Sequence, residues 1–327
     1  MDTSVKYLEK KLKTPIIVGS CGLASSIDDL KRMEDAGAGA IVLKTRFEEE
    51  FAYDTKRNTP IYMRTNQYGE SYNYVADRLG EFNLDDYFEY LRKVKSAISI
   101  PVIGSINCIS FESWINYLKR YEAAGVDAME LNIALHPYDI NTTASDVERT
   151  YNQILMSVKR LTNMPIAIKL GYYFTDMAKF VQRLSWSGVL GVVLFDREAP
   201  VDINIDTFGV EPKGYAEQSN DMSMMLRWIG ALANKTKCCI SASSSIGGWQ
   251  DVVKNLIVGA TTVQVSSCLY SNGIDYITTL QKGLEQWMEQ HQFDTLDSFK
   301  GRLALGSHDD VASIMRVLSI KSTMEIN

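Results

Sequence analysis

The sequence is poor in the residues that build disulfide frameworks and metal sites. It has five cysteines, an odd number, with no CxxC pair, and its three histidines lie far apart. A disulfide framework needs paired cysteines, and a structural zinc site needs closely spaced Cys and His ligands. We therefore expect no disulfide framework and no bound metal, which fits a protein of the reducing cytoplasm.

Long apolar runs and blocks of like charge are missing too. No run approaches the roughly 20 apolar residues of a membrane-spanning helix, and the start, MDTSVKYLEKKLKTP, has no apolar signal-peptide core. Lys and Arg are scattered and the formal net charge is −6, which argues against a nucleic-acid surface. These absences predict a cytoplasmic protein with a small-molecule substrate and with neither nucleic acid nor membrane as a partner.

Eight short apolar segments recur along the chain. They are rich in β-branched residues and alternate little between apolar and polar positions, as parallel strands covered on both faces do. The segments lie at 15–20, 40–44, 101–106, 128–133, 165–170, 191–195, 238–243 and 262–267.

Amphipathic segments with helix signals separate these strands. Ser26 is a candidate N-cap, and several segments end in AGA, AGV or a similar glycine-containing step before the next strand. Eight strand–helix units predict an α/β fold, a (β/α)8 TIM barrel, as a single domain over residues 1–327. A doubly wound open sheet is the alternative, but no GxGxxG follows the first strand.

Two polar stretches interrupt the strand–helix rhythm, at about 47–78 and about 196–222. Both follow strands, so both belong to the C-terminal face of the barrel, where active sites lie. They are predicted to be lids or substrate loops, with ordinary surface insertions as the alternative. The last segment, about 280–327, is expected to be helical and to cover the outside of the barrel.

Two lysines close apolar strands, and side chains at strand ends converge in a barrel. A lysine is rarely buried without a partner, so Lys44 and Lys169 point to an anionic ligand between them, or to Lys169 as a Schiff-base nucleophile. The alternative is that each side chain extends to the solvent-exposed rim.

Serine-rich segments follow the last two strands: ASSSIGG after the seventh and VSS after the eighth. In barrels these loops often bind phosphate through backbone N–H groups and a helix N-terminus. Phosphate at one end and a lysine near the centre suit FMN, whose reduced form needs a positive group near N1 and O2. A sugar-phosphate aldolase is also compatible with these residues.

Six segments carry a family resemblance. They resemble motifs of the dihydroorotate dehydrogenases, FMN-containing barrels, and especially their class 1 branch, from about Pro15 to about Tyr270. The segments are SCGL at 20–23, VLKTRF at 42–47, RTNQYG at 64–69, ELNIALHP at 130–137, PIAIKLGYYF at 165–174 and SSSIGGWQDVVKNLIVGATTVQVSSCLY at 243–270.

The resemblance implies a site and an activity. The activity is oxidation of dihydroorotate to orotate, a step of pyrimidine biosynthesis, with hydride transfer to flavin N5, and the family likeness implies a homodimer. Substrate would contact Asn66 and Asn132. FMN would contact Ser20, Cys21, Gly22, Lys44, Asn132, Lys169, Ser244, Ser245, Ser266 and Ser267.

The sequence departs from the family pattern where the substrate binds. Leu135 matches the cysteine that accepts the substrate proton, Pro137 matches a second substrate Asn, and the Asn of strand six falls near Phe195. His136, one residue beyond Leu135, is the candidate catalytic base because it titrates near neutral pH, and Asp196 and Tyr138 are further candidates. The phosphate-loop glycines are serines here, which favour ordinary negative φ values.

Three hypotheses follow. The first is an FMN-dependent oxidoreductase acting on dihydroorotate or a related small molecule. The second is a catalytically altered flavin-binding paralogue, favoured by the substitution at Leu135. The third is a Schiff-base aldolase that uses Lys169.

Overall fold

The computed structural model describes most of the chain. The described residues are 1–48, 50, 84–108, 111–133, 135, 138–196, 201–212, 222–305 and 311–324, with the side chains of 111–113, 115, 116, 201, 210–212, 322 and 323 left aside. The strands are β1 Val5–Tyr7, β2 Lys10–Leu12, β3 Ile16–Val18, β4 Ala40–Val42, β5 Arg46–Phe47, β6 Val102–Asn107, β7 Ala128–Asn132, β8 Ile166–Leu170, β9 Gly191–Leu194, β10 Val201–Asn204, β11 Gly209–Pro212, β12 Cys239–Ser243 and β13 Thr262–Val265.

Helices separate the strands. In chain order they are α1 Ile27–Asp35, α2 Leu84–Ala97, α3 Phe111–Ala123, α4 Ala144–Leu161, α5 Met177–Trp186, α6 Met222–Leu232, α7 Trp249–Val258, α8 Ser267–Asn272, α9 Tyr276–Gln290 and α10 Val311–Met324, with a short 3-10 helix at Leu296–Ser298. No helix in the described ranges is both long and apolar enough to span a bilayer.

Eight parallel strands form a closed barrel, and the predicted TIM barrel is confirmed. The barrel strands pair in the order β3, β4, β6, β7, β8, β9, β12, β13, and β13 pairs back onto β3. All eight predicted strands are present, each within a residue or two of its expected bounds. Closure brings the carboxyl ends of all eight strands to one face, so residues far apart in sequence share one site.

The local signals that predicted the helices are used as expected. Ser26 caps α1, since its Oγ accepts the N–H of Asp29 at 3.1 Å. Leu30 and Met33, on one face of α1, are buried in the core. Gly259 ends α7 with a left-handed φ of 114°, which is the usual role of a glycine after a helix.

A hairpin closes the N-terminal end of the barrel. It consists of β1 and β2, and Tyr7 and Leu8 at its tip are buried. Gly191, the first residue of β9, lets the tip approach closely: a Cβ there would lie 3.1 Å from Leu8 Cδ2 and 3.2 Å from Tyr7 Oη. The opposite, C-terminal end is therefore the end at which a ligand has access.

Each of the two predicted insertions begins in sequence just after a strand of the sheet. Within 196–222, β10 and β11 form an antiparallel hairpin. Most of 47–78 lies outside the described residues. The proposed lid function of both stretches stays a prediction.

Candidate functional site

Three polar side chains meet at the carboxyl ends of neighbouring strands. Asn132 ends β7, Lys169 is the fourth residue of β8, and Asp196 follows β9. Asn132 Nδ2 donates to Asp196 Oδ2 at 2.9 Å, and Lys169 Nζ lies 3.4 Å from Asp196 Oδ1. The strand register produces this meeting, because Asn132 and Lys169 are direct cross-strand partners.

A buried carboxylate lies beneath this group. The Glu130 side chain is 1% exposed, and its Oε1 lies 3.8 Å from Lys169 Nζ. Its Oε2 accepts the side-chain N–H of Gln264 at 2.7 Å from across the barrel. Burial raises the pKa of Glu130, and the charge of Lys169 and the bond from Gln264 oppose that rise. We call Glu130, Asn132, Lys169 and Asp196 the Lys169 cluster.

The two predicted lysines differ in environment. Lys44 lies just beyond β4 and is exposed, whereas Lys169 is mostly buried between two carboxylates. The lysine-partner argument therefore holds for Lys169, while Lys44 is exposed and its predicted contact with FMN stays a prediction. The partners found for Lys169 are protein groups.

The segment after the first barrel strand forms part of the same face. Ser20 Oγ lies 2.8 Å from Thr45 Oγ1, which lies 2.7 Å from Ser105 Oγ. These hydroxyls connect the segments that follow β3 and β4 to β6. Cys21 is buried, and burial raises the pKa of its thiol. The Gly22 N–H donates to Tyr270 Oη at 2.7 Å, which connects this segment to α8.

The turn after β12 has an unusual backbone. Ser244 and Ser245 both have positive φ, 86° and 54°. The expectation that serines here demand ordinary φ is wrong: the turn keeps the left-handed conformation that suits glycine. Turns that contain left-handed residues include the concavities in which backbone N–H groups bind anions. Ser244 Oγ is also buried, and no residue that the structure describes forms a hydrogen bond with it.

The helix after this turn is capped by its own carboxylate. Asp251 Oδ2 accepts the N–H groups of Gly247 at 3.0 Å and Gly248 at 3.3 Å. Gly248 is the N-cap of α7 and Gly247 precedes it, so these bonds use N–H groups that lie before the helix. The predicted help from the N-terminus of α7 in binding phosphate stays a prediction. Ser266 precedes α8 and Ser267 is its first residue. Both serines follow β13, which pairs with β12, the strand that leads into the Ser244–Ser245 turn.

Ser244→Gly and Ser245→Gly are each expected to raise the free energy of unfolding by about 0.5–1 kcal/mol. A left-handed conformation costs an L-residue about 1–2 kcal/mol. Glycine removes this cost, but part of the gain is lost again because a glycine is more flexible in the unfolded chain. Ser243→Gly is the matched control: Ser243 is the last residue of β12, so glycine should destabilise it. Urea unfolding measures all three. Equal losses at the three positions would contradict this account.

Two predicted site residues, and one position at which the sequence departs from the family pattern, lie outside the described residues. These are Asn66, His136 and Pro137, so the roles of Asn66 in substrate binding and of His136 as base stay predictions. Leu135 packs against the hydrophobic core. Tyr138, another candidate base, is 79% exposed.

Sequence reasoning missed the acidic half of the Lys169 cluster. Glu130 was present in the quoted ELN motif, and a carboxylate inside an apolar strand signals a buried charge that needs a partner. Gln264, inside the apolar run TVQV, carried the same kind of signal. The sequence suggests Asp196 only as a candidate base. Its position just after β9, the strand that pairs with β8, brings it beside Lys169.

Comparison with known proteins points to the family that the motifs of this chain resemble. The sequence profile of the family described as dihydroorotate dehydrogenase matches residues 3–288. The chloroplastic dihydropyrimidine dehydrogenase (NADP(+)) of Arabidopsis thaliana is 25% identical over 329 residues, which cover 92% of this chain and 76% of that protein. The catalytic subunit of dihydroorotate dehydrogenase B (NAD(+)) of Pyrococcus furiosus is 25% identical over 315 residues, 92% of this chain and 98% of that subunit.

A third relative is bacterial. The NAD-dependent dihydropyrimidine dehydrogenase subunit PreA of Escherichia coli K12 is 21% identical over 323 residues, which cover 92% of this chain and 76% of that subunit. The profile match covers the barrel and the Lys169 cluster, so the predicted family is confirmed: the chain is an enzyme of the dihydroorotate dehydrogenase family of flavin oxidoreductases.

Proposed function

We propose that this chain is an FMN-dependent oxidoreductase that transfers hydride between a small cyclic substrate and the flavin. The observation that carries the proposal is the placement of Lys169 and Asn132 on the same barrel face as the Ser244–Ser245 turn. A cation and an amide then lie at the centre of the face, and a turn suited to an anion lies near its edge. The substrate is dihydroorotate or a related dihydropyrimidine, as the names of the relatives suggest.

The residues present fit FMN. The Ser244–Ser245 turn has the left-handed backbone that occurs in anion-binding concavities, and within the described part of the chain the buried Ser244 hydroxyl has no hydrogen-bond partner. Both features suit a phosphate. Lys169 places an ammonium group, held between two carboxylates, inside the barrel. Ser20, Cys21 and Gly22 form the segment after the first barrel strand. Bound FMN would supply the hydride acceptor, and the protein's part is to hold substrate beside it and exclude water.

The aldolase hypothesis is the weaker one. A Schiff-base lysine must lose its proton to act as a nucleophile. Lys169 lies 3.4 Å from one carboxylate and 3.8 Å from another, and both favour the charged ammonium. The altered paralogue remains the second candidate, because Leu135 cannot accept a proton and is partly buried against the core.

The first test is flavin binding. We expect purified protein, incubated with each flavin, to bind FMN at least tenfold more tightly than riboflavin, because only FMN reaches the turn with a phosphate. Ser245→Asp should weaken FMN binding by tenfold or more and leave riboflavin unchanged, since the added charge repels phosphate alone. Fluorescence quenching on binding gives both constants. Equal affinity for the two flavins, or no binding of either, would refute the proposal.

A small-molecule substrate, a homodimer and a cytoplasmic location complete the proposal. Nucleic acids and membranes are not part of it. Gel filtration with light scattering tests the dimer directly.

A further inference from the structure

Asp196 is the most accessible acid of the Lys169 cluster. Its side chain is 27% exposed, whereas those of Lys169 and Glu130 are 12% and 1% exposed. Its backbone is fixed, since the Asp196 N–H donates to the Leu170 carbonyl at 2.7 Å. A ligand that enters from the C-terminal face therefore meets the Asp196 carboxylate before it reaches Lys169.

The charge of Lys169 is already offset within the cluster. Its ammonium lies between Asp196 at 3.4 Å and Glu130 at 3.8 Å. If Glu130 holds a proton, the remaining pair is neutral, and if both acids are ionised, the cluster carries one negative charge. In neither state does the cluster offer a net positive charge to an anionic substrate.

Asn132 is committed in a similar way. Its Nδ2 donates to Asp196 Oδ2 at 2.9 Å, so one amide N–H is used inside the cluster. The carboxylate of Asp196, with several lone pairs, still has room to accept further N–H donors. The exposed side of the cluster is therefore an acceptor surface, suited to a ring that carries amide N–H groups.

We propose that Asp196 sets the substrate class of this site: it excludes substrates with a carboxylate and selects an uncharged cyclic amide whose N–H groups face its oxygens. The inference rests on the proposed function, because it places the substrate at the Lys169 cluster. Of the substrates proposed there, it excludes dihydroorotate, which carries a carboxylate, and keeps the uncharged dihydropyrimidines. Asp196 acts here in specificity, by direct contact with the substrate ring.

The experiment compares two probes that share one ring. Uracil and orotate differ by a carboxylate, and equilibrium dialysis measures the dissociation constant of each for the purified protein, whose flavin content is recorded separately. Wild type is expected to bind uracil at least tenfold more tightly than orotate. Asp196→Asn should reduce this preference at least tenfold, chiefly by strengthening orotate binding, because Lys169 then lacks its accessible counter-charge.

Two further variants make the result specific. Asp206→Asn removes the same charge from an exposed turn of the same β9-to-α6 connection, and it should leave the preference unchanged. Asp196→Ser removes the charge with a smaller side chain and should act like Asp196→Asn, which covers the case in which one variant folds poorly.

Three results would overturn the inference. They are orotate bound by wild type as tightly as uracil, a preference equal in wild type and both Asp196 variants, and no binding of either ring. The flavin content separates these results from failure of the proposed function: protein that holds FMN but shows no discrimination refutes the role of Asp196 alone.

Discussion

Lys169→Met is expected to lower the free energy of unfolding by about 3 kcal/mol at pH 8. Removing one member of a buried ion pair leaves an uncompensated charge, which costs about 3–5 kcal/mol. In this variant the carboxylate of Glu130, which is almost fully buried, loses the nearby ammonium of Lys169. We take the lower end of the range because Gln264 continues to donate to Glu130 Oε2. Urea unfolding measures the loss.

The loss should depend on pH in a definite direction. Burial raises the pKa of Glu130 in the folded protein, and Lys169 opposes that rise. Without Lys169 the folded pKa moves further above the unfolded value of about 4.3. The folded state then binds more protons than the unfolded state, so stability falls as the pH rises from the unfolded pKa toward the folded one. At pH 5 the variant should be closer to wild type than at pH 8.

A double variant and a surface control test the cause. Glu130→Gln in the Lys169→Met background should recover most of the loss at pH 8 and flatten its pH dependence, because no buried charge remains. Lys93→Met removes a lysine from an exposed pair with Glu89 and should change stability by less than about 0.5 kcal/mol. A pH-independent loss that the double variant does not recover would show that Lys169 stabilises by packing instead.

The contrast between fold and site shows what a sequence encodes locally. The barrel was predictable because each strand and helix has a sequence signal within a few residues. Examples are the apolar run 191–195, the N-cap Ser26 and the helix-ending Gly259. The family was predictable because several motifs keep their spacing. None of these signals requires knowledge of which strands are neighbours.

The Lys169 cluster depends on such knowledge. Glu130 and Gln264 are 134 positions apart and meet only because the barrel closes. Asp196 reaches Asn132 because β8 lies between β7 and β9 in register. The φ angles at Ser244 and Ser245 were misjudged for a related reason: residue preference favours negative φ, and the surrounding structure overrides it.

Close packing of α7 against α9 depends on one glycine. Gly283 lies within α9, and a Cβ there would lie 2.2 Å from Trp249 Cγ and 2.4 Å from Trp249 Cδ1. Trp249 is the first residue of α7, the helix that follows the Ser244–Ser245 turn. The contact therefore fixes the start of the helix that supports the proposed phosphate site.

Gly283→Ala is expected to destabilise the protein by about 2 kcal/mol. Alanine improves helix propensity by about 1 kcal/mol, but overpacking of a rigid core contact costs about 1–3 kcal/mol, and at 2.2 Å from an indole ring the cost belongs at or above the top of that range. Gly230→Ala, in the interior of α6, is the matched control: its Cβ would meet nothing closer than 3.7 Å. That variant should gain up to about 1 kcal/mol, as measured by thermal unfolding.

The indole of Trp249 should determine how much Gly283→Ala destabilises the protein. A Trp249→Ala background lacks the Cγ and Cδ1 atoms that a Cβ at position 283 would meet first, and only the Cβ of residue 249, at 2.6 Å, remains. Gly283→Ala should therefore cost less there than in wild type, and the two substitutions should be non-additive. The same displacement should reach the turn, since α7 begins five residues after Ser244. Gly283→Ala is therefore expected to weaken FMN binding more than riboflavin binding, although Gly283 lies outside the proposed site. An additive double variant, or a change in stability from Gly283→Ala equal to that from Gly230→Ala, would show that the Gly283–Trp249 contact is not what holds α7 in place.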